Sequence, residues 1–175
     1  KRSLRWRLAY TAGFETMTMG ITEWLIRERK MLFAGSDSSV ASLVLWHMVE
    51  ETEHKNVAYD LYMHLYGDWQ GKAWGLIFAS FHVAFASRKG YMRMLKRDGK
   101  WKSLRSRVAL YAMIARFFVH ASPAMLRSLL PGYHPSKVND PKWVARWASA
   151  YDSLEEGSIP LLDTSDPEIP ARFAA

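Results

Sequence analysis

The chain has 175 residues, of which 49% are apolar and 23% are charged, a balance that suits one globular domain with a sizeable core. It contains no cysteine, which excludes disulfides, thiolate zinc sites and cysteine nucleophiles and fits a reducing cytoplasm. Lysine and arginine number 24 against 17 aspartates and glutamates, so the net charge is +7.

The positive charge is concentrated in residues 1–7 and in a basic block, Arg88 to Arg107, which holds nine basic residues against the single acidic Asp98. Such blocks are typical of solvated helix ends, and they also occur on surfaces that bind anionic membranes or nucleic acid. We expect a solvated surface, with peripheral membrane contact as the alternative.

Apolar residues recur with helical spacing along most of the chain, and no segment alternates as a strand would. The first predicted helix covers residues 4–33 and places Glu15 inside its apolar stripe. The second covers residues 38–66, after a turn that offers an N-cap. The third covers residues 72–95, and its apolar run of thirteen residues is too short for a typical membrane span. We therefore expect this run in a protein core, with shallow membrane contact as the second interpretation.

Two further helices follow, over residues 104–130 and 141–156, and Pro123 should bend or break the first of them. The pattern predicts an all-α bundle over residues 1–157 and an extended, proline-rich and acidic tail over residues 158–175. Because the helical pattern begins almost at the first residue, we expect the bundle to be N-terminally incomplete.

The predicted second helix carries an unusual cluster of metal-binding side chains. At 100° per residue, His47, Glu50, Glu51 and His54 fall within an arc of about 100° that also holds apolar residues. Charged groups in an apolar stripe need compensation, which a metal ion can provide. Glu51 and His54 have the E-x-x-H spacing of di-metal helical bundles, and Glu15 would add a carboxylate from the first helix.

Carboxylate and imidazole ligands together suit iron, manganese or zinc. Glu51 is the preferred ligand because of its spacing from His54, while Glu50 is either an alternative ligand or an acceptor that orients His54. His47 would be an additional ligand. The competing interpretation is an exposed polar patch, with Glu15 paired to an arginine instead of a metal.

Three segments resemble the bacterial family of predicted metal-dependent hydrolases, a ferritin-like helical group. They are the R-L-A-Y-T-A segment that leads to Glu15, the W-H-x-x-E-E-x-E-H-K-x-V-A-Y-D motif of residues 46–60, and the P-G-Y-H-P loop of residues 131–135. The resemblance implies a ferritin-like fold, a divalent metal and hydrolysis of a small molecule by metal-activated water. Thr16 departs from the family, which usually has a histidine at this position. The family's upstream glutamate helix and second E-x-x-H helix are also absent, so the site would need them or a second copy of the chain to close.

The resemblance leaves three other functions open. The same ligands on iron would support oxygen chemistry on a hydrophobic substrate such as an acyl chain. A non-catalytic helical module would bind an anionic membrane or nucleic acid through the basic block, although no nucleic-acid motif accompanies it. An inactive paralogue would keep the bundle without a complete site. For the enzyme we expect a cytoplasmic location, with a position peripheral to the membrane as the alternative, and a homodimer if a second copy closes the site.

Overall fold

The computed structural model describes residues 1–166, which form helices, turns and loops without a strand. The all-α prediction is therefore confirmed, while the ferritin-like arrangement stays a prediction. Two short 3₁₀ turns, Lys100–Lys102 and Pro135–Lys137, lie in the connections. The α-helices are α1 (Leu4–Phe33), α2 (Ser38–His54), α3 (Val57–Leu65), α4 (Trp69–Arg97), α5 (Leu104–Ser128) and α6 (Lys142–Asp152).

Side-chain caps define where the long helices begin. A hydroxyl or carboxylate at the N-cap accepts a hydrogen bond from a backbone N–H three residues later, which satisfies one of the unpaired donors of the first turn. The capping residues are Ser3, Asp37, Asp68 and Ser103. These local signals explain why the predicted start of the first two helices agrees with the structure.

The predicted helix over residues 38–66 is wrong as one continuous element, because a turn at Lys55 and Asn56 divides it into α2 and α3. Lys55 is buried at the turn, where its Nζ donates hydrogen bonds to the Val138 carbonyl at 2.9 Å and to Asp140 at 2.8 Å. No glycine or proline marks this position. The break accompanies a tertiary contact that local sequence does not reveal.

Helix α1 lies at the centre and packs against α2, α3, α4 and α5. Its closest neighbour is α4: a Cβ built on Gly75 would lie 1.9 Å from the Ala9 carbonyl oxygen, and one built on Gly13 would lie 2.2 Å from the backbone of Gly75. The two backbones therefore touch where neither glycine has a side chain. Ala9 and Ala12 continue this contact into a small core with Ala58 and Tyr62.

A second core lies at the other end of α1. Trp143 and Trp147 of α6 pack with Ile26 of α1 and with the buried face of α2. Leu162, in the segment after α6, is buried in the same cluster, and its backbone N–H donates to the Ser42 hydroxyl. The first part of the predicted tail, residues 158–166, thus contacts the helices, while residues 167–175 lie outside the described residues.

Helix α5 runs through Pro123 without ending, so the proline does not break it. The side of α5 that faces α1 is held by an ion pair of 2.8 Å between Arg116 and the buried Glu28, and by an edge-to-face contact between Phe117 and Trp24. α5 is long enough and apolar enough to cross a membrane, but many core helices of soluble proteins have the same length and composition. Only 6% of its most apolar window is buried within the structure.

The predicted core helix α4 is buried on one side only. Ala73, Leu76 and Ala79 are buried, and α1 is the helix against which α4 packs. Trp74 and Phe81, from the same apolar run, are more than 60% exposed. The core prediction therefore describes one face of α4, and the opposite face is an exposed apolar surface.

Candidate metal centre

The predicted metal donors lie on two adjoining helices, α1 and α2. Glu15 is in the middle of α1 and half-buried, and the Glu51 side chain is 14% exposed. Glu50 and His47 are more open, at 39% and 57%, and His54 is exposed at the last residue of α2. The donors therefore line the open side of the α1–α2 pair.

The face of α2 that carries these donors is not its buried face. Ala41, Leu45, Val49 and Thr52 are buried on the other side of the helix, towards α6, whereas Leu43 beside the donors is 55% exposed. The prediction of an apolar, buried stripe around the donors is thus wrong for α2. The apolar residues of both faces follow helical spacing, and the packing of α1, α6 and Leu162 decides which face is covered.

The charges of Glu15, Glu51 and His54 act on one another across the α1–α2 contact. Burial raises the pKa of the Glu15 carboxyl above its ordinary value of 4.5, the charge of Glu51 raises it further, and His54 partly opposes the shift. No lysine or arginine contributes to this shift. Glu15 of α1 thus lies near enough to Glu51 and His54 of α2 for their charges to act on it.

His47 also contacts this group. Its Nε2 lies 3.4 Å from a Glu51 carboxylate oxygen, and its Nδ1 lies 3.9 Å from Glu50. Within residues 1–166, however, no three acidic or histidine side chains are arranged around a common point as metal ligands are. The donor types fit a divalent cation, but they are spread along an open face and do not form a closed coordination shell.

Thr16, which stands where a histidine was expected from the resemblance, has a different role. Its buried hydroxyl donates to the Ala12 carbonyl at 2.8 Å, within the turn of α1 that precedes it. A hydroxyl committed to its own helix backbone does not face a metal. This position supplies no ligand.

The second half of the long motif holds a loop. The Tyr59 hydroxyl donates to the Tyr133 carbonyl, and Asp60 pairs with His134 at 2.8 Å. The His134 ring also packs edge-on against Tyr59, with centroids 4.9 Å apart. Together with Lys55 these residues form what we call the latch, which fixes the P-G-Y-H-P loop to α3.

Sequence reasoning missed the latch. Asp60 lies on a different face of the predicted helix from the donors, and His134 lies in the loop of residues 131–135, so helical spacing does not connect them. Lys55, Tyr59 and Asp60, which follow the donors in the same motif, are the sequence feature that could have indicated a contact with another segment. Only the tertiary structure brings the two segments, 74 residues apart in sequence, into contact.

Lys72 strengthens the same region from α4. It is 3% exposed, its Nζ donates to the Ser128 carbonyl at 2.7 Å, and it lies over the rings of Tyr59 and Tyr133. Burial lowers the pKa of this amine. The lysine thereby ties the start of α4 to the end of α5 beside the latch.

A family model described as "predicted metal-dependent hydrolase" matches residues 1–139, which include α1 to α5, the donors and the latch. The chain belongs to this family. No curated protein and no solved structure matches it. The family supports a metal-dependent hydrolase with a divalent metal, and it does not specify the metal, its ligands or the substrate.

Proposed function

We propose that this chain contributes a carboxylate–histidine metal site to a hydrolase that acts on a small, apolar molecule. The ligands would be Glu15 from α1 with Glu51 and His54 from α2. His47 and Glu50 lie beside them and would complete or orient the set. The di-metal form of the site, inferred from the E-x-x-H spacing, is part of the proposal.

One observation carries the proposal: Glu15 of α1 lies near Glu51 and His54 of α2 across the contact between the two helices, and His47 Nε2 lies 3.4 Å from the Glu51 carboxylate. A carboxylate pair that no lysine or arginine neutralises is costly in a half-buried place unless a cation binds there. Oxygen and imidazole donors together match iron, manganese and zinc. The openness of the face supports the expectation that further ligands come from outside residues 1–166, from another segment or a second copy.

A divalent metal bound here would lower the pKa of a coordinated water and polarise a substrate carbonyl or phosphoryl oxygen. The chain's own residues have distinct tasks around it. Glu50, whose carboxylate lies 3.9 Å from His47, would be an alternative ligand or an acceptor that orients His54. The exposed apolar side chain of Leu43, next to the donors, would contact an apolar substrate.

The decisive experiment compares the metal content of the purified chain with that of a donor variant, Glu51→Gln/His54→Gln, before and after reconstitution with iron, manganese or zinc. We expect metal in the parent protein and at least a tenfold lower content in the variant, because two of three ligands are lost. Helicity should change little, since both side chains lie on the open side of α2.

The matched control is Glu53→Gln/His64→Gln, which removes the same two side-chain types from exposed positions of α2 and α3. It should keep the parent metal content. Equal metal in the parent and the donor variant, or equal loss in the control, would refute the assigned ligands. Absence of metal from the parent after reconstitution would leave the chain without a working site and contradict the proposal.

The kind of chemistry needs its own assay. Hydrolysis of short acyl esters that stops with a chelator and returns with the metal would support the hydrolase over oxygen chemistry. Oxygen uptake by the iron-loaded protein, without ester hydrolysis, would favour the oxidase alternative. The Glu51→Gln/His54→Gln variant should be inactive in whichever assay detects activity.

A further inference from the structure

The outer side of α5 carries an exposed apolar stripe. Its members lie within an arc of about 100° on the helix, run for most of its length, and are each more than half exposed. We call these residues the α5 stripe: Leu104, Val108, Tyr111, Phe118, Val119 and Leu126. A soluble monomer rarely leaves so long an apolar stripe open.

The stripe begins where the basic block lies. The block comprises the end of α4, the turn at Lys100–Lys102 and the start of α5. Its nine basic side chains form no ion pair with the acidic residues within 1–166, and α5 itself contains no acidic residue. Tyr91 and Trp101, aromatic residues of the kind that favour membrane interfaces, lie among them.

An apolar groove opens beside the stripe, between α4 and α5. It has a volume of about 460 Å³. Its lining includes Tyr91, Trp101 and Phe117, together with Tyr111 and Phe118 of the stripe. A lipid chain or an interfacial side chain of this size would fit such a space.

We propose that the α5 stripe and the basic block form a docking surface for an anionic lipid membrane. The helix lies in the plane of the interface, with its stripe in the apolar boundary and the lysines and arginines against the headgroups. Because Arg116 is paired with Glu28 and Phe117 packs on Trp24, α5 stays attached to α1 and does not span the bilayer.

Two other occupants fit the observations less well. Nucleic acid would use the basic block but would leave the aliphatic side chains of the stripe exposed. A second copy of the chain would cover the stripe but would bring two like-charged blocks together. An anionic membrane satisfies both the charge and the apolar surface.

The test measures flotation of the whole chain with vesicles of neutral phosphatidylcholine, with and without about 30% phosphatidylserine. We expect binding only to the anionic vesicles, and we expect it to weaken when salt rises from about 0.05 M to about 0.5 M. Removal of four charges of the block should weaken binding by about 100-fold or more. The substitutions are Arg93→Gln, Lys96→Gln, Lys100→Gln and Lys102→Gln.

The charge control removes four exposed basic side chains from outside the block and should bind like the parent. Its substitutions are Lys1→Gln, Arg7→Gln, Lys137→Gln and Lys142→Gln. A second pair of variants tests the apolar contact. Leu104→Gln/Val108→Gln/Val119→Gln should bind at least tenfold more weakly, whereas the equally exposed Leu4→Gln/Val40→Gln/Leu161→Gln should not.

Four results would overturn the proposal. If the chain bound neutral and anionic vesicles equally well, charge would have no role. If either control variant lost as much binding as its test variant, the effect would not be specific to this surface. If the stripe variant bound anionic vesicles as well as the parent does, the stripe would have no role. The basic block would then be a general site for polyanions such as nucleic acid. Self-association through the stripe, without vesicle binding, would identify a second copy as the occupant.

Discussion

The contact between α1 and α4 can be tested by a single methyl group. Gly75→Ala would place a Cβ 1.9 Å from the Ala9 carbonyl oxygen and 2.5 Å from its carbonyl carbon. Non-bonded heavy atoms prefer about 3.5–4.0 Å, so the two helices would have to separate locally by roughly 1.5 Å or more. The obstructing atoms are backbone atoms of a helix, which cannot rotate away as a side chain would.

The expected loss of stability follows from three contributions. Overpacking costs about 1–3 kcal/mol, and separating the helices also loosens the packing around the fully buried Ala12. Alanine in a helix interior returns up to about 1 kcal/mol relative to glycine. Because the backbone of Ala9 cannot move aside, the overpacking cost lies at the upper end of its range, and we expect Gly75→Ala to lower the free energy of unfolding by about 2 kcal/mol, a large part of the total for a domain of this size.

Gly90→Ala on the same helix is the matched control. A Cβ at this position meets no atom within 4 Å, so the propensity gain acts alone and the variant should be more stable by about 0.5–1 kcal/mol. Urea unfolding followed by circular dichroism measures both changes. A Gly75→Ala protein as stable as the parent would show that the helices do not touch at this point, and the packing argument would fail.

Three further predictions concern the donors and the latch. Glu15→Gln should stabilise the chain at pH 7 but not at pH 3: the raised pKa of Glu15 means that the folded state loses stability as pH rises above the ordinary carboxyl value of 4.5. Urea midpoints at the two pH values check this, and an equal gain at both would contradict it. Lys55→Met should cost about 1–2 kcal/mol, because the half-buried Val138 carbonyl and the exposed Asp140 carboxylate lose a charged donor but stay accessible to water, and faster amide exchange in residues 131–140 should accompany the loss. Tyr59→Phe removes one neutral hydrogen bond to the same loop and should cost about 1 kcal/mol by urea unfolding; no change would show that this bond is weak.

Local sequence signals were sufficient for the helical class and for the start of the first helices. Helical spacing and the capping residue Asp37 are properties of a few neighbouring residues, and the structure agrees with them. The buried face of α2 was not predictable in this way. Leu43 and Leu45 both fit a helical stripe, and tertiary packing against Ile26, Trp143 and Trp147 buries Leu45.

The donors illustrate the same limit at the level of the site. The spacing of Glu51 and His54 is a local property and was visible in the sequence. Whether these side chains meet Glu15 depends on how α1 packs on α2, and the pKa shift of Glu15 supplies that link. Neither the spacing nor the helix packing supplies the remaining ligands of a closed site, since residues 1–166 contain no group of three acidic or histidine side chains arranged to hold a metal ion.

The long motif of residues 46–60 therefore combines two sets of residues with different roles, on the end of α2 and the start of α3. Residues up to His54 present donors on an open face, whereas Lys55, Tyr59 and Asp60 hold the P-G-Y-H-P loop from the opposite side of the turn. The donors end at His54, and the latch begins at the turn formed by Lys55 and Asn56. Substitution of the donors should thus remove metal while sparing stability, and substitution of the latch residues should do the reverse. A motif match alone cannot distinguish a protein that keeps the latch from one that also keeps the metal.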